Sequence, residues 1–209
     1  MEDVLEVYHR PYNPEFPQIC MDEQPVQCIR ETHTPLPLES GKPERFDYEY
    51  ERNGTANIFM FSQPLKGWRR ASVRERKTAT DWAEEIRILL EEDFPHAQKI
   101  VLVQDNLNTH TIASLYKTFA PEKARSLAER LEIHFTPKHG SWLNMAEIEL
   151  SVLTTQCLKR RVPDIKTLIQ ETSAWQTLRN TGNKNINWQF ETKTARIKLK
   201  RLYPQIEKS

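Results

Sequence analysis

Short apolar runs bounded by turn-forming residues recur along this chain and predict β-strands, and apolar residues between them recur at helical spacing. Strands are predicted at 18–29, 58–61, 69–77, in the run that ends at 103, and at 133–135. The clearest helical spacing is carried by Trp82, Ala83, Ile86, Leu89, Leu90 and Phe94. This order predicts an α/β fold, with a five-stranded mixed sheet of three antiparallel strands followed by two parallel strands, flanked by helices.

Glycine, proline and capping residues mark the connections between these elements. Asn53-Gly54 predicts a turn before the second strand, and Gly67 predicts the turn before the third. Prolines between 35 and 43 predict a long loop after the first strand. Helix N-caps are predicted at Asp81, paired with Glu84, and at Asp164.

The fourth predicted strand ends abruptly in polar residues. Its apolar run, 100–103, is followed by Gln104, Asp105 and Asn106. Such a short run is typical of a buried parallel strand, and a carboxylate at its C-terminal end lies where open α/β sheets bind ligands and metals. The alternative is that Asp105 caps the next helix. Asp22 ends the first strand in the same way, so the two carboxylates converge if these strands are neighbours.

A predicted helix over 143–158 carries two glutamates. Its apolar stripe consists of Leu143, Ala146, Leu150, Leu153 and Cys157. Glu147 lies at the polar edge of that stripe, whereas Glu149 lies about 200° away around the axis, so the two cannot face one site. Glu147 is better placed to face the end of the sheet. Asp22, Asp105 and Glu147 would form an oxygen site for Mg²⁺ or Mn²⁺, and two such ions support in-line attack on a phosphodiester.

Composition narrows the class of protein. The 209 residues suffice for one domain, with or without an appendage. Three cysteines, Cys20, Cys28 and Cys157, show no metal-binding spacing and predict buried thiols. No apolar run approaches a membrane span, and the acidic N-terminus is no signal peptide, so we expect a cytoplasmic protein without membrane contact.

Charge is distributed unevenly along the chain. Residues 1–51 hold 4 Lys/Arg against 12 Asp/Glu, and residues 157–209 hold 12 against 4. The basic C-terminal part either binds a polyanion, most simply nucleic acid, or pairs with the acidic N-terminal part.

Several segments together are more specific than the carboxylates alone. They are Gln104-Asp105-Asn106 with Asn108-Thr109-His110, Thr136 to Glu147, Asp47 to Tyr50, Asn53 to Asn57, Trp188 to Phe190, and Ile197 to Pro204. These segments closely resemble DDE-type transposases, in the branch of bacterial insertion sequences related to mariner elements. The resemblance implies a ribonuclease-H-like fold and a nuclease and strand-transfer site with two Mg²⁺ or Mn²⁺ ions.

Carried over by position, the resemblance makes Asp22, Asp105 and Glu147 the catalytic metal ligands. The adjacent Glu23 is the alternative to Asp22 as the first acid. Further residues are expected to support these acids or contact DNA: Asn106, His110, Lys138, His139, Ser141 and Asn144. The alternative for Asn106 and His110 is capping of the helix that follows. Trp142 is predicted as a core anchor rather than a base-stacking residue.

The resemblance also implies partners and a division of the chain. We expect double-stranded DNA as substrate, comprising transposon ends and a TA target, with a homodimer acting on it in the bacterial nucleoid. The predicted division is an irregular entry segment (1–17), the catalytic domain (18–160) and a basic helical extension (161–209). Family members carry an N-terminal helix-turn-helix region for which this chain has no room, so a fragment, a split reading frame or a decayed copy is expected. Two alternatives are a non-catalytic remnant that binds DNA or a transposase, and a nuclease acting on RNA–DNA hybrids.

Overall fold

A five-stranded mixed sheet organises the fold. The computed structural model describes residues 1–32, 49–138 and 140–203. The strands are β1 (Gln18–Glu31), β2 (Tyr50–Gln63), β3 (Trp68–Arg74), β4 (Ile100–Gln104) and β5 (Leu131–Phe135). Their order is β3-β2-β1-β4-β5, with β1–β2 and β2–β3 antiparallel and β1–β4 and β4–β5 parallel. The predicted fold is confirmed, whereas the predicted loop at 35–43 lies outside the described residues.

Helices cover both faces of this sheet. They are α1 (Glu2–His9), α2 (Ala79–Ile88), α3 (Ile112–Thr118), α4 (Pro121–Glu129), α5 (Met145–Gln156), α6 (Ile165–Thr181) and α7 (Thr192–Lys198). A π-helical turn (Leu89–Asp93) extends α2, and 3₁₀ turns cover Ser141–Leu143 and Lys200–Leu202. In the described part of the chain, none of these helices is long and apolar enough to cross a membrane.

The two faces of the sheet bury separate cores. Cys20 lies in the core with α1, α5, α6 and α7, whereas Ile19 and Met21 lie in the core with α2, α3 and α4. Since successive side chains of a strand point to opposite faces, Asp22 continues the face of Cys20 and Glu23 continues the face of Met21. This alternation separates the two adjacent acids.

Part of the predicted C-terminal extension packs on the same side of the sheet as α5. Helix α6 packs against β3, and its Leu168 and Trp175 are buried in the core that α5 shares. The predicted cap is confirmed, since the Asp164 side chain accepts a hydrogen bond from the Thr167 N–H at 2.7 Å. Cys20 and Cys28 are buried free thiols, and Cys157 is half-buried.

Of the two turns predicted at glycines, the structure confirms one and contradicts the other. Gly67 is confirmed as a turn residue with φ of +65°, and a Cβ there would lie 2.8 Å from the Lys184 backbone. The turn predicted at Asn53-Gly54 is wrong, because both residues lie inside β2. Gly54 has φ of +84° beside the register shift between Gln27 and Ile29, so glycine here serves a β-bulge.

The start of α2 is also corrected. Asp81 is not the N-cap; Thr78 is, and its hydroxyl accepts from the Asp81 N–H while the Asp81 side chain accepts from the Thr78 N–H. This reciprocal pair is a capping box. The prediction placed the boundary three residues late because it took the second member of the box for the first.

Candidate active site

Asp22 and Asp105 lie on neighbouring strands, next to the C-terminal end of β4. The prediction that Asp22 ends the first strand is wrong, because β1 continues to Glu31 through its pairing with β2. Strands β1 and β4 are parallel neighbours, with Cys20 in register with Val103. Asp22 and Asp105 each lie two residues beyond that pair. Both therefore continue the same face, the one that α5 covers. The convergence expected from the sequence depends on this pairing, which the structure provides.

The Asp22 carboxylate is surrounded by other acids. Burial is the largest cause that raises its pKa, and the nearby carboxylates of Asp105, Glu147 and Glu23 raise it further. The Glu23 backbone N–H, which donates to Asp22 Oδ1 at 2.8 Å, opposes the shift, and the resulting pKa is about 6. Because the charges of Asp105 and Glu147 both raise the pKa of Asp22, the two acids lie within electrostatic range of Asp22.

Asn144 connects α5 to this part of the sheet. Its Nδ2 donates to the Met21 carbonyl at 2.7 Å and to Asp22 Oδ2 at 3.3 Å, while its Oδ1 accepts from the Ala146 N–H at 3.1 Å. Asn144 is therefore the N-cap of α5 and a contact to Asp22 at once. The predicted helix start at 143 is two residues early, since residues 141–143 form the 3₁₀ turn.

Two glutamates of α5 have different surroundings. Glu147 is half-buried in the first turn, on the side of Asp22. Glu149 is fully buried and pairs with Arg69 at 2.9 Å and Arg179 at 3.0 Å. The prediction that the two glutamates cannot face one site is confirmed.

His110 lies beside Asp105 at the end of β4. Its Nδ1 donates to Asp105 Oδ1, and its Nε2 donates to Glu23 Oε1 at 2.9 Å. Burial disfavours the charged imidazolium, but the hydrogen bonds to Asp105 and Glu23 outweigh it and raise the pKa of His110 to about 9. The N-cap of α3 is Thr111, which has no side-chain cap hydrogen bond, so none of Asp105, Asn106 and His110 serves as the cap. Asn106 is exposed to solvent next to Asp105.

The segment before α5 presents side chains to solvent. Lys138 and Ser141 are exposed, and His139 lies outside the described residues. Trp142 is 41% exposed and contacts the Phe190 ring edge-on at 5.8 Å. The prediction of Trp142 as a core anchor is wrong, because Leu143 occupies the core position and turns Trp142 outward.

Sequence reasoning missed the residues that hold His110. Trp82 Nε1 donates to Gln104 Oε1 at 3.0 Å, and Gln104 Nε2 donates to the His110 carbonyl at 3.0 Å. The one available signal was Gln104 itself, a polar residue that closes an otherwise apolar strand. Glu23 was weighed only as a competitor of Asp22, and its contact with His110 was not foreseen.

The donor set fits hard divalent cations. Within residues 1–32, 49–138 and 140–203, no cluster of three or more His, Cys, Asp or Glu side chains is close enough to form a ready-made metal site. The chemistry of the three acids is nevertheless that of Mg²⁺ or Mn²⁺ ligands, since all contribute carboxylate oxygens. The raised pKa of Asp22 reflects burial and mutual repulsion, and a cation among the three acids would relieve the repulsion.

Part of the basic C-terminal stretch pairs with the acidic N-terminal stretch. Arg196 pairs with Glu2 at 2.7 Å, and Arg161 pairs with Glu31. Other basic side chains near the C-terminus are exposed: Lys193, Lys198, Lys200 and Arg201. Pairing within the chain therefore accounts for some of the charge asymmetry and leaves a basic surface on α7 and the turn after it.

The sheet order, with helices on both faces, is that of the ribonuclease-H-like fold. The model of the family described as "DDE superfamily endonuclease" matches residues 17–169, a span that contains all three acids. The chain belongs to this family. No curated protein sequence matches the chain.

Solved structures of Mos1 mariner transposase share the fold. The Mos1 mariner paired end complex with Mn superposes with a TM-score of 0.56 at 14% identity, over 85% of this chain and 52% of that chain. The Mos1 strand transfer complex gives a TM-score of 0.56 at 12% identity, over 84% and 51%. This chain thus spans about half the length of the Mos1 chains. The resemblance to mariner-related DDE transposases is confirmed.

Proposed function

We propose that this chain is the catalytic domain of an insertion-sequence transposase, which cleaves DNA and joins strands with the help of divalent metal ions. The observation that carries the proposal is the electrostatic proximity of Asp105 and Glu147 to Asp22, next to the C-terminal end of β4. Among the described residues, neither Asp22 nor Glu147 forms an ion pair with lysine or arginine. These carboxylates are therefore available to bind a cation.

Asp22, Asp105 and Glu147 would hold Mg²⁺ or Mn²⁺, as two ions. Such ions, when bound, activate a water or a 3′-hydroxyl for attack on a phosphodiester and stabilise the leaving oxygen. Asn144 orients Asp22 from the N-terminus of α5, and His110 fixes one oxygen of Asp105. The family and the fold that the chain shares with Mos1 support this assignment.

The exposed segment before α5 is suited to contact DNA. Lys138 and Ser141 would bind backbone phosphates, as would His139, and the exposed face of Trp142 offers a stacking surface for a base. Asn106, exposed beside Asp105, is placed to meet the same substrate. The exposed lysines of α7 extend the basic surface, so binding would weaken steeply with salt.

Whole-protein properties belong to the same proposal. By family resemblance, the substrate would be double-stranded DNA with transposon ends and a TA target. The protein would act as a homodimer, and its catalytic domain would span residues 18–160. The solved Mos1 complexes with transposon ends support DNA as the partner. By the same resemblance, the chain would come from a bacterial insertion sequence.

Cleavage of end-bearing DNA tests the proposal. Incubation with Mn²⁺ and duplex DNA carrying the element's ends is expected to give nicking, which Asp105→Ala reduces by about 10³-fold because several kcal/mol of transition-state stabilisation are lost. Glu132→Ala, which removes an acid from an exposed pair with Arg10, is the matched control and keeps wild-type nicking. EDTA should abolish the reaction.

Three outcomes would contradict it. Equal nicking by the wild type and Asp105→Ala removes the catalytic assignment. DNA binding without any cleavage favours a non-catalytic remnant. Faster cleavage of an RNA–DNA hybrid than of duplex DNA favours a different ribonuclease-H-like nuclease.

A further inference from the structure

Glu23 is adjacent to Asp22 in sequence but lies on the other face of the sheet. The alternation of β1 places Asp22 towards α5 and Glu23 towards α2 and α3. The Glu23 side chain is 3% exposed, and its Oε1 accepts from His110 Nε2 at 2.9 Å. A buried carboxylate on that face needs a reason, because burying a charge is costly unless partners offset it.

His110 reaches around the end of β4 and joins the two faces. Its side chain is 1% exposed, with Glu23 at one ring nitrogen and Asp105 at the other. Since both neighbours are carboxylates and only accept, both ring nitrogens donate. The imidazole thus connects Glu23, on the face of the sheet that α2 and α3 cover, to Asp105 in the candidate active site.

The ring itself is held in place from two further directions. It stacks on the Trp82 indole, with centroids 6.1 Å apart and planes inclined by 24°. The Gln104 amide binds the His110 carbonyl and is bound in turn by Trp82. Ring position, ring plane and both ring nitrogens are therefore constrained by separate contacts.

We propose that Glu23 and His110 are positioning residues that fix the orientation of the Asp105 carboxylate, and that Glu23 does not itself bind the metal. The inference rests on the proposed function, since it assigns Asp105 to a metal site. Glu23 orients His110, and His110 holds one Asp105 oxygen so that the other is directed towards Asp22 and Glu147. Hydrogen-bonded partners of ligating side chains orient them and affect metal affinity.

The surroundings of Glu23 support an anchoring role. Its Oε2 is buried without a hydrogen-bond partner, and Lys77 Nζ lies 3.7 Å from it. Lys77 and His110 together offset the Glu23 charge on the face away from α5. Asp22 and Glu147 pair with no such basic side chain among the described residues. The sheet therefore separates Glu23, whose charge is offset within the protein, from acids that are available to bind a ligand.

Binding of Mn²⁺ to the full chain, followed by the EPR signal of the free ion, tests the inference. Glu23→Ala and His110→Ala are expected to weaken Mn²⁺ binding about 10- to 100-fold. Glu23→Gln keeps an acceptor for His110 and should recover most of the affinity. The double variant Glu23→Ala/His110→Ala should lose no more than either single variant, because both interrupt one connection.

Glu31→Ala is the matched control, since it removes an acid from the far end of β1 that pairs with Arg161. It should leave Mn²⁺ affinity unchanged. Equal losses in Glu23→Gln and Glu23→Ala would overturn the inference by making Glu23 a ligand. A lower melting temperature of Glu23→Ala with unchanged Mn²⁺ affinity would overturn it by making Glu23 merely structural.

A crystal structure of Glu23→Ala separates this inference from the proposed function. If the wild type binds no Mn²⁺, the metal dependence of the proposed function fails, and the crystal structure still decides the positioning. An Asp105 carboxylate that has rotated away from His110 supports the inference. A His110–Asp105 contact that persists unchanged overturns it.

Discussion

Two groups of acids in this molecule are treated in opposite ways. Glu85 and Glu149 are fully buried and surrounded by arginines: Arg70 and Arg74 around the first, Arg69 and Arg179 around the second. Asp22, Asp105 and Glu147 instead lie near one another, where Asp105 and Glu147 raise the pKa of Asp22. The first group ties helices to strand β3, whereas the second gathers negative charge that, among the described residues, no lysine or arginine pairs with.

Helix α5 carries one member of each group, two residues apart. Glu149 points into the protein, where Arg69 links it to β3 and Arg179 links it to α6. Glu147 lies on the side of Asp22. A helical offset of about 200° is enough to separate a structural acid from a functional one. The comparison teaches that the partners of an acid, rather than its burial alone, identify its role.

The sharpest test compares the two glutamates of α5. Glu149→Ala leaves Arg69 buried without its counter-charge, and should lower the free energy of unfolding by about 3–5 kcal/mol. Glu147→Ala should change it by less than about 1 kcal/mol, the size of a helix-terminus effect, while abolishing nicking. Urea denaturation measures both. A comparable loss of stability in the two variants would erase the distinction, and Glu149→Gln provides a milder version if Glu149→Ala does not fold.

A second test uses acid pH and Glu85. Burial opposes the charged form, but Arg70, Ser72 and Arg74 outweigh it and hold the pKa of Glu85 below its usual value of 4.5. The stabilisation is therefore present above about pH 4.5 and is lost as pH falls through the folded-state pKa. The stability of Glu85→Gln should fall less steeply with acid, by up to about 1.4 kcal/mol per pH unit. Identical slopes for the two proteins below pH 4.5 would show that Glu85 is not stabilised in this way.

The smallest expected effect is an increase in the free energy of unfolding rather than a decrease. Asp22→Asn removes one of three mutually repelling charges from a buried position and keeps a similar shape. Without metal, we expect the free energy of unfolding to rise by about 1 kcal/mol, as is typical when a site strained for function is relaxed. Thermal denaturation in EDTA measures it. A clear destabilisation would place Asp22 with the structural acids.

Patterns of short range predicted much of the fold. The strand before Asp105 and the helix before Cys157 were recognisable because burial on a sheet and burial along a helix impose periods that a sequence displays directly. The same geometry separated Glu147 from Glu149 before any contact was known. Caps and turns were less secure: Asp81 belongs to a capping box that begins at Thr78, and Gly54 serves a bulge, because one residue type suits several backbone conformations.

Contacts between distant segments were beyond such patterns. Trp142 looked like a core residue because it is large and apolar, yet Leu143 takes the core position and Trp142 lies against Phe190 at the surface. The role of Gln104 as a link between Trp82 and His110 depends on three separate segments meeting.

The sequence by itself determined the kinds of element, the candidate acids and the family to which the motifs point. Tertiary structure alone decided which acids meet and which are neutralised. Asp22 and Asp105 become neighbours only because β1 and β4 pair in parallel. Glu23 contacts His110 only because the segment that follows β4 brings the imidazole next to β1. Local periodicity follows from the backbone of each segment, but charge compensation depends on atoms brought together from distant segments, and Glu23 and His110 are 87 residues apart in sequence.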